Sequence, residues 1–298
     1  MKNLPFGRPG RFYRGNLHTH STKSDGLHEP EEACRRYREA GYDFLSLSEH
    51  FQERFDYPIS DTRPFRSDHF TTLIAAEMHQ GKTAGGETWH LLAVGIPVDF
   101  ARPEPDEGAL QIAQRAAEAG AFIGIVHPSW YGLTIEDAKS ITCAHAIEIY
   151  NHHSHLEVDR GENWPFCDLL LNEGWRLSGF ATDDAHRITS DAFGGWINVH
   201  AEALDPDALL DSLKAGRYYS SQGPEIHDIR IAGGELHVAC SPACGISVAG
   251  CGSRSKYLTG EGMEQATFPT KRFADGYVRV TVRDEQGKRA WSNPIWFD

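Results

Sequence analysis

No stretch of the sequence approaches the roughly 20 apolar residues that a membrane-spanning helix needs. The start, Met1 to Arg14, is polar, basic and rich in Pro and Gly rather than signal-like. No membrane association and a cytoplasmic location are therefore expected. Positive charge is scarce: 29 Lys and Arg stand against 42 Asp and Glu, a net charge of −13. That balance disfavours attraction to a nucleic-acid polymer or an anionic membrane, so the expected partner is a small-molecule substrate. An anionic one would need local positive charge, which bound cations can supply. Cysteine is sparse as well, with Cys34, Cys143, Cys167, Cys240, Cys244 and Cys251 scattered along the chain. Reduced thiols are expected rather than a disulfide framework. Cys240, Cys244 and Cys251 lie near His237 but lack the paired CxxC steps of known zinc sites, so no metal is expected there. The sequence also lacks internal repeats and low-complexity tracts.

What is present is enough to bury a substantial core: 298 residues, 40% apolar and 24% charged. Strand-like runs at 11–17, 42–47, 72–76, 90–94, 122–126, 146–150, 176–181 and 196–199 alternate with helix-like segments at 31–40, 107–119, 166–173 and 206–215. Alternation of this kind predicts an α/β fold with parallel strands. Pro30 and Gly41 bracket the first helix, Gly120 ends the second and Gly174 the third. After Gly223-Pro224 the texture changes to short alternating runs at 226–231, 236–239, 246–249 and 277–282. A small antiparallel β appendage is expected there, dividing the chain into units 1–224 and 225–298. The segment 51–68, rich in Pro, Arg and Asp, is expected to form a long irregular loop with a functional role.

Sixteen histidines are the outstanding feature of the composition. The informative ones fall directly after strand-like runs: His18-Thr-His20, Glu49-His50, His127 and Asp184-Ala-His186, with Glu77 after another. In barrel-like β/α folds the carboxyl ends of the strands share one mouth. Residues i and i+2 of an extended segment point the same way, so His18 and His20 can face one ion, as can Asp184 and His186. Imidazole mixed with carboxylate suits zinc, iron or manganese rather than calcium or magnesium alone. Glu77 has two oxygens and can bridge ions ~3.5–4 Å apart. Asp183 would point away from Asp184 and orient backbone instead. Leu45, Leu47, Ile125 and Ile147 are core residues.

GNLHTHSTKSDG (15–26), LSLSEH (45–50), AAEMH (75–79), HLLAVG (90–95), IVHP (125–128), IEIYN (147–151) and ATDDAH (181–186) resemble, in order, the motifs of the PHP (polymerase and histidinol phosphatase) family. The resemblance spans residues 11–224. It implies a distorted (β/α)7 barrel with a two- or three-metal centre of Zn, Mn or Fe, and phosphoester hydrolysis. It would place His18, His20, Glu77 and Asp184 on one ion, Glu77, His90 and His127 on a second, and Asp25, His50 and His186 on a third. His79 competes with His90 for its position. His28, His152, His153 and His155 read as supporting or surface residues, and His227 in the appendage as structural.

The expected function is a metal-dependent phosphoesterase in which a metal-bridging hydroxide attacks phosphorus, with His50 or His186 stabilising the departing alkoxide. Candidate substrate contacts are Lys23, Arg54, Arg63, Arg66, Asn151 and Arg187. Two alternatives stay open: a carbamate or carboxylic ester hydrolase using the same centre, and a non-catalytic metal-binding barrel. The sequence after His127, Pro-Ser-Trp-Tyr, offers an aromatic wall where a basic phosphate contact would suit a phosphatase. ATDDAH with the downstream GGW and GRYYSSQGPEI segments is similar to a family branch that includes carbamate-hydrolysing enzymes. Phosphate and carbonyl readings therefore differ in whether basic loop residues, or Trp130, Tyr131 and Trp164, face the cleft.

Overall fold

The computed structural model describes residues 4–297, so the outer ends of the two expected units, residues 1–3 and 298, lie outside the described residues. The fold is mixed α/β, built on two sheets. Strand β1 (Arg11–Asn16) leads to helix α1 (Pro30–Glu39). Two broken strands follow: β2 (Phe44–Leu45) resumes as β3 (Ser48–Phe51), and β4 (Thr71–Thr72) as β5 (Ala75–Met78). Next come β6 (Leu91–Val94), α2 (Ala109–Glu118), β7 (Phe122–Ile125), α3 (Ile135–Ser140), β8 (Ala146–Asn151) and α4 (His152–Val158). The series continues with α5 (Trp164–Asn172), β9 (Ser178–Thr182), α6 (Ile188–Asp191), β10 (Trp196–Ala201), α7 (Pro206–Lys214) and β11 (Tyr218–Ser221).

One sheet runs β3-β5-β6-β7-β8-β9. Its pairs β3/β5, β7/β8 and β8/β9 are parallel as expected, but β6 is antiparallel to both neighbours. The reason lies in the connection from β5 to β6: it holds no helix to carry the chain back across the sheet, and it closes on itself through a Lys82↔Thr88 bridge. The expected strand at 196–199, β10, is likewise antiparallel to β1. Among the described residues the hydrogen-bonded ladders trace two sheets rather than one closed barrel. The sheets meet where β2 runs on into β3 and β4 into β5, and at the Thr19↔Ala185 bridge.

The chain ends in β12 (Ile226–Ala232), β13 (Glu235–Gly250), β14 (Ser255–Pro269), β15 (Tyr277–Arg283), β16 (Arg289–Ser292) and β17 (Ile295–Trp296). Two of the expected short runs, 236–239 and 246–249, are one strand, β13, because the intervening residues stay extended through irregular pairing with β14. β16 pairs with β11, so this antiparallel array and β10-β1-β2-β4 form one continuous sheet. A partly buried bidentate contact reinforces the junction: Arg279 on β15 donates to Asp168 on α5 at 2.6 and 2.9 Å, and Tyr277 donates to the same carboxylate at 3.0 Å. All six cysteines are free. Cys240 and Cys244 donate to different carbonyls, of Met263 and Asp284, and His237 pairs with Thr267. No helix among the described residues is long and apolar enough to cross a membrane.

Close packing fixes the inward ends of the strands. Phe44, Leu92, Phe122, Phe180 and Val199 are wholly buried in one cluster. Gly15 passes so near Phe44 that a Cβ there would lie 2.1 Å from its ring, so the first strand must carry glycine at that point. Helix α1 starts at Pro30, carries Glu31 and Glu32 in its first turn and Arg36 and Arg38 in its last, and buries Ala33, Cys34 and Tyr37.

Candidate metal centre

The strand ends deliver their polar residues to one mouth. His18 and His20 follow β1, His50 lies in β3 opposite Glu77 in β5, His127 follows β7, and Asp184 and His186 follow β9. His90 precedes β6 rather than following it, and the antiparallel run of β6 brings its amino end to the same mouth. The two i,i+2 pairs are laced together by backbone: His20 N–H donates to Ala185 O and Asp184 N–H to His18 O, both at 2.9 Å. As a result Asp184 Oδ1 sits 3.1 Å from His18 Nε2 and 3.0 Å from His20 Nε2. His127 and Asp184 adopt left-handed backbone, at φ 30° and 55°. Such conformations cost on the order of 1–3 kcal/mol each and concentrate at functional sites.

Glu77 is the hub. It is fully buried, and its two oxygens face different histidines. Oε1 lies 2.7 Å from His90 Nδ1 and 3.1 Å from His127 Nε2. Oε2 lies 2.7 Å from His50 Nδ1, 3.3 Å from His79 Nε2, 3.5 Å from His18 Nε2 and 3.6 Å from His20 Nε2. A third grouping stands beside these: Asp25 Oδ1 is 3.2 Å from His50 Nε2 and 3.4 Å from His186 Nε2. Ligand atoms of His20, Asp25, His50 and His186 all fall within 4.8 Å of one another, as do those of His18, His127 and Asp184 and those of Glu77, His90 and His127.

The donor set fits divalent cations on two observations. Glu77 Oε2 and His18 Nε2 are buried with no aligned hydrogen-bond partner, a costly arrangement that a cation between them would relieve. His18 Nδ1 meets Glu148 Oε1 at 3.0 Å, and because a carboxylate only accepts, Nδ1 carries the proton and Nε2 presents its lone pair. Glu148 is completely buried and also accepts from the Thr182 hydroxyl, from His127 N–H at 2.7 Å and from Asn151 Nδ2 at 2.9 Å. Asp183 has the orienting role its position predicts. It accepts from the backbone N–H groups of Phe193, Gly194 and Gly195, from Asn16 and from the Tyr37 hydroxyl of α1.

Charge within the cluster is strongly polarised. Burial works against a charged Glu77, but His50, His79, His90 and His18 outweigh it and hold the carboxyl well below its usual range. Burial opposes charge on His50 too, yet Glu77 and Asp25 raise its pKa to about 10. His20 goes the other way, driven well below the imidazole range by burial and by facing His50 and His186. Burial takes His90 down to about 3. Adjacent imidazoles with opposite proton affinities are what a crowded ligand cluster produces when all its members cannot be cationic together.

A cavity of about 380 Å³ opens onto this cluster. Of the basic residues expected to line it, only Arg54 does, 3.5 Å from Asp25. Arg63 is held at the surface by Asp61, Arg66 is turned onto Thr72, and Lys23 and Arg187 are exposed away from the cavity. Asn151 is buried behind the ligands, donating to Asp184 at 3.0 Å and to Glu148. Trp130 and Tyr131 do form a wall, with ring centroids 5.4 and 5.6 Å from His127. Trp164 does not, because it is buried under the Arg279 guanidinium 4.2 Å from its ring. The segment 51–68 contains two short helical turns and contributes Gln52 and Arg54 to the cavity. His153 also lines it, held by Asp191 at 3.2 Å and packed 4.7 Å from the His186 ring, while His152 and His155 lie outside the lining.

Glu148 was missed as a site residue. Its signal is an acid in the middle of the otherwise apolar run AIEIY, where an unpaired carboxylate would be prohibitively costly.

No protein-family model matches the chain, and no curated protein does. Among solved structures, a two-domain protein from Bacteroides vulgatus ATCC 8482, described as containing a predicted PHP-like metal-dependent phosphoesterase, aligns over 96% of each chain with a TM-score of 0.58 and 15% identity. An amidohydrolase from Chromobacterium violaceum, with bound sulfate and no metal, aligns over 60% of this chain and 89% of its own with a TM-score of 0.46 and 14% identity. The first likeness is one of fold, extending over both the α/β part and the C-terminal strands.

Proposed function

We propose that the chain is a metal-dependent hydrolase of the polymerase and histidinol phosphatase family that cleaves a small phosphate ester. The observation that carries this reading is Glu77, a buried carboxylate whose two oxygens face separate histidine groups. His18, His20, Glu77 and Asp184 would hold one divalent ion, Glu77, His90 and His127 a second, and Asp25, His50 and His186 a third, with Zn, Mn or Fe suited to these donors. Ions so held supply Lewis acidity and an acidified water. The residues themselves supply placement: Glu148 and Asn151 orient His18, His127 and Asp184, and Arg54 stands at the rim where an anionic group enters. His50 and His186 face Asp25 at the mouth, where a leaving alkoxide would depart. A phosphoryl group has several anionic oxygens to share among three neighbouring ligand sets, whereas a carbonyl has one, and this favours phosphorus. The chemistry belongs in this reading to residues 1–224, whose two sheets would be the halves of one distorted barrel, and residues 225–298 form the supporting unit.

A carbamate or carboxylic ester substrate is the second reading, favoured by the Trp130–Tyr131 wall and by Arg54 being the only Lys or Arg among the described residues lining the cavity. A paired assay separates the two: metal-loaded protein with aryl phosphate mono- and diesters beside aryl carbamates and esters, with His20→Ala as control. Phosphate release that vanishes in His20→Ala supports the phosphoesterase. Turnover of carbamates or esters alone replaces it with the second reading, and no turnover at full metal occupancy rejects both.

A further inference from the structure

His79 is the one imidazole packed among the ligands that none of the three ligand sets uses. It follows the last residue of β5, two positions after Glu77, and in extended backbone residues i and i+2 point the same way. It is accordingly buried in the cluster, with its ring centroid 4.7 Å from that of His50 and 4.1 Å from that of His90. It does not take the place of His90. His90 and His127 meet Glu77 Oε1, whereas His79 Nε2 lies 3.3 Å from Oε2, on the side of His50.

The nearest polar contact of His79 is with His50. Its Nε2 stands 2.7 Å from His50 Nδ1 in an aligned hydrogen bond. Glu77 Oε2 is equally near to His50 Nδ1, at 2.7 Å, yet it has no aligned hydrogen-bond partner. The hydrogen bond at His50 Nδ1 therefore runs to the imidazole and not to the carboxylate. One nitrogen of the pair donates and the other accepts, and the far side of the His50 ring decides which. There Nε2 faces Asp25 at 3.2 Å, in the set completed by His186. A ring that gives its Nε2 lone pair to a cation keeps its proton on Nδ1. His50 is then the donor and His79 Nε2 the acceptor, with the His79 proton on Nδ1. Ligating histidines usually donate their second N–H to a carboxylate, a carbonyl or water. Here the nearby carboxylate is itself a ligand, so an imidazole takes that role.

We propose that His79 is a positioning residue: by accepting His50 Nδ1–H it fixes the ring so that Nε2 presents its lone pair beside Asp25 and His186. The inference rests on the metal-hydrolase reading and deepens it, because the affinity of the Asp25–His50–His186 set, and of that set alone, then depends on His79.

The test measures zinc affinity of the full chain, stripped and reloaded in competition with a chromophoric chelator, with elemental analysis for the number of ions bound. His79→Leu keeps the bulk and removes the acceptor. It should weaken one ion per chain by about 10- to 100-fold and leave the others within about twofold. His79→Gln, whose amide oxygen can accept in place of Nε2, should return affinity to within about threefold of the parent. In a His186→Ala background, where that ligand set is already broken, His79→Leu should add nothing. In nitrogen-15 spectra of the zinc-loaded parent, which need no variant, His79 should carry its proton on Nδ1 and a bare Nε2. A parent that binds no zinc would overturn the metal-hydrolase reading and the inference with it. Where the parent does bind zinc, the inference alone falls if His79→Leu matches the parent or His79→Gln is as weak as His79→Leu. It falls equally if the His79→Leu loss persists in the His186→Ala background, or if His79 Nε2 is protonated or holds zinc.

Discussion

Two cavities share strands β8 and β9: the metal cleft at their carboxyl ends, and a larger one of about 710 Å³ at their amino ends, between the α/β part and the C-terminal strands. At the carboxyl ends, five carboxylates and six imidazoles meet a single arginine among the described residues. At the amino ends, a histidine, an arginine and a lysine line the cavity, and none of its described lining residues is a carboxylate. Net charge therefore predicts neither: the value of −13 is an average over regions of different local composition. The cavities also differ in how they are made. The first is assembled by residues in or beside the strand ends, so the strands aim them. The second is a gap between packed units, and its residues share no strand register.

The sharpest way to break this contrast is Glu77→Gln. An amide cannot supply two anionic oxygens, so the variant should lose at least one metal equivalent by elemental analysis and more than about 10²-fold in hydrolytic rate. If metal content stays at the parent level, the hub role of Glu77 is wrong.

Glu148→Gln should act less severely, because Glu148 meets the ligands His18 and His127 from behind. A loss of about 10- to 100-fold in metal affinity is expected, with the fold kept. A chelator titration that matched the parent would sink this role.

The third comparison moves to the junction of the two parts. Asp168→Ala leaves the Arg279 guanidinium, itself only 12% exposed, without its bidentate partner. With the carboxylate 26% exposed, solvent screens part of the loss, and about 2 kcal/mol of destabilisation is expected in denaturant melts. Tyr277 also donates to Asp168 and pairs in register with Trp296, which lines the amino-end cavity. Metal affinity should hold, because Asp168, Tyr277 and Arg279 are not among the metal-cluster residues. A loss of metal affinity alongside the loss of stability would show that the junction is not separate from the metal cluster.

The same contrast explains what could be read from the sequence. His18-Thr-His20 was legible as a pair because i,i+2 spacing at a strand end leaves little choice of direction. Asp184, by contrast, turns through left-handed backbone and groups with His18 and His127, while His186 groups with Asp25 and His50. Asp183 takes the orienting place its position predicts. Arg63 and Arg66 misled because loop charge says nothing of direction, and each found a nearer partner, Asp61 and Thr72. Trp164 looked like a cleft residue until Arg279, 115 positions away, covered it. The reversed β6 was hidden because strand propensity carries no orientation. The amino-end cavity has no motif at all, since Phe6, His145, Arg176, Lys214 and Trp296 are brought together only by tertiary packing.

The smallest expected effect tests whether those last residues share a field. His145 titrates below its ordinary 6.5, first because it is buried and second because Lys214 is near. A depressed folded-state pKa means that the unfolded chain binds a proton the folded one refuses. His145 therefore contributes no stability change above 6.5, and stability falls as pH drops below that value toward the folded pKa. Lys214→Glu replaces the repelling charge with an attracting one. The His145 midpoint followed by nuclear magnetic resonance should rise, and the acid-side loss of stability should shrink with it. A midpoint that does not move would mean that the Lys214 charge is screened from His145.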